Sequence, residues 1–140
     1  MRYLLDTCVI SEFARPRPSA SVTGWLADQR EEDLYLSVLT LGEIQKDITA
    51  LADGRRKARL EAWLDGDLQE RFGGRIVGIT KNVALLCGRM SGEAVRRGRP
   101  LPVIDALIAA SAAAVDATVV TRDESAIRAA GARTFNPWET

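Results

Sequence analysis

Four acidic residues stand where predicted strands end, and together they could hold a metal ion. Asp6 directly follows the first predicted strand, Glu43 lies early in the helix after the second strand, and Asp123 follows the fourth strand. Because the strands of a parallel sheet point the same way, these three side chains are expected at one rim of the sheet. Asp105 opens an alanine-rich helix and joins them if that helix starts at the same rim.

The chemistry of such a group follows from its charge. Carboxylates crowded at one rim repel one another and cannot all stay ionised without a cation. Mg²⁺ or Mn²⁺ is the natural cation, because each prefers oxygen ligands and binds through a few carboxylates and waters. A metal held in this way activates water, neutralises charge on a phosphate and stabilises a leaving oxygen. The four acids therefore indicate hydrolysis of a phosphodiester.

Each acid also has a purely structural interpretation. Asp6 is of a residue type favoured at helix N-caps. Thr40 and Glu43 have the Thr-x-x-Glu spacing of a capping box, with Thr40 as the N-cap. Asp105 and Asp123 could complement the dipoles of the helices that they open. Four acids in comparable places nevertheless favour a common site over four separate caps.

The elements that would position these acids alternate along the chain. Amphipathic segments predict helices at 55–72, from a Thr80 N-cap to about residue 97, and at 103–115, and Ser21 is expected to cap an earlier helix. Strands alternating with helices indicate a mainly parallel sheet covered on both faces, and 140 residues are most simply one domain, 1–140. The five predicted strands are 3–5, 34–39, 75–79, 118–121 and 133–135.

The composition narrows the possible chemistry. The chain has no histidine, which excludes Ser-His-Asp and Cys-His catalysis and every zinc site that needs imidazole. Its formal net charge is zero, so a contact with nucleic acid must come from a local basic patch. The two cysteines, Cys8 and Cys87, fit no metal-ligand spacing and are expected as free thiols in a reducing cytosol.

No segment of the sequence predicts export or a membrane span. Asp6 interrupts the N-terminal apolar run too early for a signal peptide. The apolar stretch 101–120 contains Pro102, Asp105 and Asp116, which favours a buried helix followed by a strand. A cytoplasmic protein without membrane contact is therefore expected.

The segments around the four acids resemble the motifs of PIN-domain ribonucleases, in the same order and across the whole chain. The C-terminal Asn136-Pro137-Trp138-Glu139 is similar to the VapC- and FitB-like toxin branch of that family. The four segments are Leu5-Asp6-Thr7-Cys8-Val9-Ile10-Ser11-Glu12, Leu36-Ser37-Val38-Leu39-Thr40-Leu41-Gly42-Glu43-Ile44, Pro102-Val103-Ile104-Asp105-Ala106-Leu107-Ile108-Ala109-Ala110 and Val119-Val120-Thr121-Arg122-Asp123.

The resemblance implies a fold, an activity and partners. The fold is a PIN-like three-layer α/β/α arrangement with a mainly parallel sheet of about five short strands. The activity is that of an Mg²⁺- or Mn²⁺-dependent endoribonuclease toxin of a type II toxin–antitoxin system, which cleaves single-stranded or looped RNA. Asp6, Glu43, Asp105 and Asp123 are then both the catalytic and the metal-binding residues. The resemblance also implies a cognate antitoxin that inhibits the protein and through which alone it contacts DNA. It further implies that the chain forms a homodimer.

Other residues near the motifs keep two interpretations each. Cys8 stands where the family more often has asparagine, and a packing or orienting role suits it better than a nucleophilic one. Thr121 could hydrogen-bond a site carboxylate or simply end its strand. The basic clusters Arg55-Arg56-Lys57-Ala58-Arg59 and Arg96-Arg97-Gly98-Arg99 could hold RNA phosphates or form solvated helix surface. The target RNA and the number of metal ions stay open.

Three other acid-rich or nucleotide-binding α/β classes fit the sequence less well. A receiver-type signalling module needs a lysine after a late strand, and Thr121-Arg122-Asp123 contains none. A haloacid-type phosphatase needs an aspartate at the position of Cys8, and a nucleotide-binding fold needs a glycine-rich loop after the first strand. A catalytically silent PIN-like module that binds protein or RNA is the remaining alternative.

Overall fold

A single five-stranded parallel sheet organises the molecule. The computed structural model describes residues 1–139, so Thr140, the last residue of the expected domain, lies outside the described residues. The strand order is β3-β2-β1-β4-β5, and every neighbouring pair is parallel. The α/β class and the five-stranded parallel sheet are therefore confirmed. The strands are β1 (Arg2–Leu5), β2 (Leu34–Ser37), β3 (Ile76–Val77), β4 (Ala117–Val120) and β5 (Thr134–Phe135).

Within residues 1–139, eight α-helices connect and cover the strands. Residues 55–72 are helical throughout, as predicted, but a π-helical segment, Trp63–Leu68, interrupts the α-helix between α4 and α5. The helices are α1 (Thr7–Glu12), α2 (Ala20–Ala27), α3 (Val38–Thr49), α4 (Arg55–Ala62), α5 (Gln69–Phe72), α6 (Lys81–Arg96), α7 (Val103–Ala114) and α8 (Glu124–Ala129).

The sheet separates two hydrophobic cores. Successive strand residues point to opposite faces, so Leu5 and Val120 join one cluster while Leu4 and Val119 join the other. The first cluster packs against α1 to α5, and the second packs against α7 and α8. The sheet is therefore the middle of three layers, as expected.

The central strand β1 brings distant parts of the chain to one rim. Leu4 lies beside Tyr35 of β2 and Val119 of β4, and Leu5 lies beside Val120. Since all the strands are parallel, the segments that follow β1, β2 and β4 emerge on the same side. The first turns of α1 and α3 and the loop after β4 meet there.

Two of the predicted helix caps are wrong, and both helices begin earlier. The Ser37 hydroxyl caps α3 by accepting the Leu39 N–H at 3.1 Å, so β2 ends at Ser37 and Thr40 is buried inside the helix. Thr40 and Glu43 therefore form no capping box, and Glu43 lies in the second turn. Helix α2 starts at Ala20 with Ser19 in the N-cap position, rather than Ser21.

The physical reason for the early start of α2 is a contact outside the helix. The Ser19 N–H donates to the carboxylate of Glu12 at 3.1 Å, which fixes the chain one residue before the helix. The predicted Thr80 cap is confirmed, because its hydroxyl accepts the Val83 N–H at 3.2 Å. Among residues 1–139, no helix combines the length and the apolar character that a membrane span requires.

Candidate functional site

Asp6 is held rigidly between the sheet and the first helix. Its backbone N–H donates to the carbonyl of Val120 at 3.0 Å and so extends the pairing of β1 with β4. Its carboxylate Oδ1 accepts the Thr7 N–H at 2.9 Å and caps α1. The structural interpretation of Asp6 as an N-cap is thus correct, but it uses only one of the two carboxylate oxygens.

Thr121 connects Asp6 to Asp123. This side chain is buried, and its hydroxyl donates to Asp6 Oδ2 at 2.9 Å. The same hydroxyl oxygen accepts the Asp123 N–H at 3.2 Å. Asp123 itself is exposed, and its Oδ1 accepts a hydrogen bond from Ser125 at 3.2 Å. The Thr121 hydroxyl therefore orients Asp6 through the Asp6 carboxylate and Asp123 through the Asp123 backbone N–H.

Glu43 reaches the same rim through Thr7. The Thr7 hydroxyl donates to Glu43 Oε1 at 3.0 Å, and it lies 3.5 Å from the Thr40 hydroxyl. Burial raises the pKa of Glu43 above its ordinary value; the Thr7 hydrogen bond opposes this, and the charge of Asp6 adds to it. Thr7 was assigned no separate role from the sequence, although a hydroxyl directly after Asp6 was the available signal.

Asp105 joins the rim from the opposite layer. It lies in the first turn of α7, where burial raises its pKa, and the charges of Asp123 and Asp6 raise it further. The electrostatic effect of Asp6 thus reaches both Glu43 and Asp105. Electrostatic repulsion therefore links Asp105 to Asp6 and Asp123, and Glu43 to Asp6.

The donor chemistry of this group fits a divalent cation such as Mg²⁺ or Mn²⁺. All four side chains offer carboxylate oxygens. Burial is the main reason why the pKa values of Glu43 and Asp105 are raised, and the charges of neighbouring carboxylates, which a cation would offset, raise them further. In the part of the chain that the structure describes, no three acidic or cysteine side chains lie close enough together to hold an ion in common. Metal binding at these acids is therefore supported by charge and ligand type, and it stays a prediction.

Cys8 lies next to Thr121, and its thiol is not activated as a nucleophile. Its Sγ is 3.8 Å from the Thr121 hydroxyl oxygen. Burial raises the pKa of the thiol; a hydrogen bond from the backbone of Arg122 lowers it, and the charge of Asp6 raises it again, with a net upward shift. A thiol that holds its proton more tightly is a poorer nucleophile at neutral pH. The orienting role expected for Cys8 suits this contact with Thr121.

Glu12 is a buried charge that the sequence interpretation missed. Only 3% of its side chain is exposed, and its Oε1 lies 3.6 Å from Arg15 and 3.9 Å from Arg122. Arg122 directly precedes Asp123, so this cluster is connected to the acidic rim along the backbone. The available signal was the position of Glu12, three residues after Val9 on the apolar face of α1.

The structure places the two basic clusters in different surroundings. Lys57 is used locally, because its ammonium donates to Asp53 and to the carbonyls of Thr49 and Leu51. Arg56 lines a groove of about 210 Å³ between α1, α3 and α4. The other residues around this groove are Ser11, Ala14, Arg15, Ile44, Asp47, Ile48, Leu51, Leu60 and Trp63. The cluster at 96–99 is exposed around the end of α6.

Comparison with known proteins agrees with the motif order. Residues 3–132 match the family model of the PIN domain. The chain is 37% identical to Toxin FitB of Neisseria gonorrhoeae over 96% of its own length and 97% of that protein. It is 33% identical to VapC ribonuclease Y4jK of Sinorhizobium fredii, with 97% of each chain covered.

A solved structure extends the likeness to three dimensions. In the structure of FitAB bound to an IR36 DNA fragment, one chain superposes on this fold with a TM-score of 0.90 and 36% identity. The match covers 97% of this chain and 95% of that one. The fold described above is thus also found in a structure of FitAB bound to a DNA fragment.

Proposed function

This chain belongs to the PIN-domain family, and we propose that it is a metal-dependent endoribonuclease, the toxin of a toxin–antitoxin pair. Its substrate is single-stranded or looped RNA, its metal is Mg²⁺ or Mn²⁺, and residues 1–140 act as one domain in the cytoplasm. The observation that carries the proposal is the repulsion that links Asp105 to Asp6 and Asp123, and Glu43 to Asp6, at one rim of the sheet. Natural folds keep such a costly arrangement where it serves a site.

In this proposal the four acids are both the metal ligands and the catalytic residues. A bound divalent cation supplies the charge that activates a water and stabilises the phosphodiester as it is cleaved. The protein contributes fixed ligand positions: Thr121 holds Asp6 Oδ2, and Thr7 holds Glu43 Oε1. Each of these acids keeps oxygen lone pairs that the hydroxyl does not use.

Cleavage and metal binding should be lost together when one acid is neutralised. The test compares wild type with Asp105→Asn in a mixed RNA pool containing Mn²⁺, with and without a chelator. Asp116→Asn is the matched control, since Asp116 is an exposed aspartate whose positive φ of 52° asparagine adopts readily. Metal binding is measured separately, as the rise in melting temperature that Mn²⁺ produces.

Three outcomes are informative. We expect Asp105→Asn and the chelated wild type to lose cleavage, while Asp116→Asn keeps both cleavage and the response to Mn²⁺. Equal cleavage by wild type and Asp105→Asn, in preparations shown to be free of other nucleases, would refute the metal-dependent mechanism. A folded wild type that binds RNA or a partner protein but cleaves nothing would favour the alternative, a catalytically silent PIN-like binding module.

A cognate antitoxin is the proposed protein partner, and contact with DNA occurs only through it. Support comes from the FitAB–DNA structure, whose toxin-like chain shares this fold. The groove between α1, α3 and α4 offers an apolar floor at Ile48, Leu60 and Trp63 and cationic edges at Arg15 and Arg56. A segment with apolar side chains and flanking acids would complement it, so we propose this groove for the antitoxin.

A second copy of the chain is also proposed as a partner. Large apolar side chains are exposed on α6 and α7, including Leu85 at 55% and Val103 at 67%. Burial of these side chains in a homodimer would remove apolar surface from water. Light scattering should therefore give twice the mass of the chain, and Val103→Asp should shift the equilibrium towards the monomer.

A further inference from the structure

Arg122 is a cation whose neighbours in the chain, Thr121 and Asp123, both belong to the acidic rim. Its side chain is 52% exposed. Among residues 1–139, the guanidinium donates no hydrogen bond; its contacts are an ion pair with Glu12 and the ring of Trp138. Its donors are therefore available to a ligand that approaches the rim.

The ion pair with Glu12 is too long to account by itself for the position of the Arg122 guanidinium. Glu12 Oε1 lies 3.9 Å from Arg122 but 3.6 Å from Arg15, and Oε2 accepts the Ser19 N–H at 3.1 Å. The buried carboxylate is thus partly satisfied by other groups. Its remaining effect on Arg122 is to attract the guanidinium to one place without occupying its hydrogen-bond donors.

Trp138 holds the guanidinium from the other side. The Arg122 Cζ atom is 4.2 Å from the centre of the Trp138 ring, within the range of a cation–π contact. The backbone of Trp138 is fixed by a local turn, since the Asn136 side chain accepts the Trp138 backbone N–H at 2.9 Å and donates to the Arg122 carbonyl at 3.4 Å. The side chain and the backbone of Arg122 are therefore held by the same C-terminal turn.

We infer that Arg122 binds a phosphate of the RNA substrate at the acidic rim, and that Glu12 and Trp138 are its positioning residues. A guanidinium suits this role because its planar fork matches the oxygens of a phosphate. An acidic rim repels RNA, so a fixed cation at its edge is needed to position the backbone beside the metal ligands. This inference rests on the proposed ribonuclease function and deepens it.

The first experiment measures RNA binding without cleavage. A short fluorescein-labelled single-stranded RNA is titrated with wild type, Arg122→Gln and Arg122→Lys in Ca²⁺, under conditions in which a gel shows the RNA intact. Arg133→Gln is the matched control, because Arg133 is also an exposed arginine in an ion pair, with Asp116 at 2.8 Å. The titration is repeated over a range of salt concentrations.

A lost phosphate contact has a defined signature. We expect Arg122→Gln to bind RNA about 10-fold more weakly, as for the loss of one charged hydrogen-bonding group. The slope of log affinity against log salt should fall by about 0.7, the value for one phosphate contact on single-stranded nucleic acid. Arg122→Lys should keep the salt slope but not the full affinity. An affinity and a slope equal to those of Arg133→Gln would overturn the inference.

The role of Glu12 is tested by its coupling to Arg122. Glu12→Gln should weaken RNA binding less than Arg122→Gln, and the double variant should bind no more weakly than Arg122→Gln alone. Additive losses would show that Glu12 acts on the fold and not through Arg122. Melting temperatures of all variants separate such an effect on stability from an effect on binding.

Failure of the inference and failure of the proposed function give different results. If wild type cleaves RNA in Mn²⁺ while Arg122→Gln equals Arg133→Gln in binding and cleavage, only the role of Arg122 is refuted. If wild type neither binds nor cleaves RNA, the ribonuclease function is refuted, and the inference falls with it.

Discussion

Replacement of Thr121 by valine should remove the hydrogen bonds that link Asp6 to Asp123 while leaving the shape of the side chain almost unchanged. Thr121 is buried, and its hydroxyl donates to Asp6 at 2.9 Å and accepts from the Asp123 N–H at 3.2 Å. Valine has nearly the same volume but no hydroxyl. The variant therefore removes two hydrogen bonds without opening a cavity.

The magnitude follows from those two bonds. A hydrogen bond to a charged group contributes about 1.5–3 kcal/mol and a neutral one about 1 kcal/mol, while the added methyl group recovers up to about 1 kcal/mol. We therefore expect Thr121→Val to lower the free energy of unfolding by about 2 kcal/mol, or the melting temperature by about 8 °C. Loss of the orientation of Asp6 should reduce metal-dependent cleavage by about 100-fold.

Thr121→Ser separates the hydroxyl from its packing. Serine keeps both hydrogen bonds and loses one buried methyl group, which costs about 1 kcal/mol. We expect this variant to melt somewhat below wild type but to cleave RNA within about threefold of it, as for a change that leaves the oriented groups in place. Both variants are assayed by thermal unfolding with chelator and by initial cleavage rates in Mn²⁺. Equal cleavage by Thr121→Val and Thr121→Ser would show that the hydroxyl does not orient the site.

Three further predictions concern charge at the rim. The raised pKa of Asp105 means that its ionised form disfavours folding, so Asp105→Asn should be more stable than wild type to urea at neutral pH in chelator. That advantage should vanish as the pH falls below the ordinary range of an aspartate, where both forms are neutral; an advantage independent of pH would contradict it. Glu43→Gln should likewise raise the melting temperature in chelator and lose the stabilisation by Mn²⁺, and a normal Mn²⁺ response would exclude Glu43 as a ligand. Cys8→Ala should retain cleavage, because the raised pKa keeps the thiol protonated, and a loss approaching that of Asp105→Asn would contradict this.

The order of the elements and the common rim of the acids could be predicted because both follow from local patterns. Short apolar runs alternating with amphipathic helices specify parallel strands, and the end of a strand specifies a rim. Asp6 and Asp123 are located by this argument alone. Their proximity in space is set by the pairing of β1 with β4, which the pattern does not specify.

The details that could not be predicted depend on contacts between distant segments. Ser37 and Thr40 are both suitable N-caps for α3, and the choice between them is made by tertiary packing that buries Thr40 near Thr7. Glu12 is recognisable as a charge on an apolar helix face, but its partner Arg122 lies beyond β4. The π-helical segment Trp63–Leu68 continues the apolar pattern of the helices beside it, so the pattern did not predict a change of helix type.

The pairing of the first strand with the fourth has a consequence for the timing of activity during protein synthesis. The hydrogen bond from Thr121 to Asp6 joins residues 115 positions apart, and β1 cannot be completed in the sheet before β4 has been made. Parallel pairing over such a distance also forms slowly, because a long loop must close first. A nascent chain therefore carries a disassembled site until almost its entire length has left the ribosome. For the ribonuclease proposed above, this order of assembly would delay formation of the site until synthesis is almost complete.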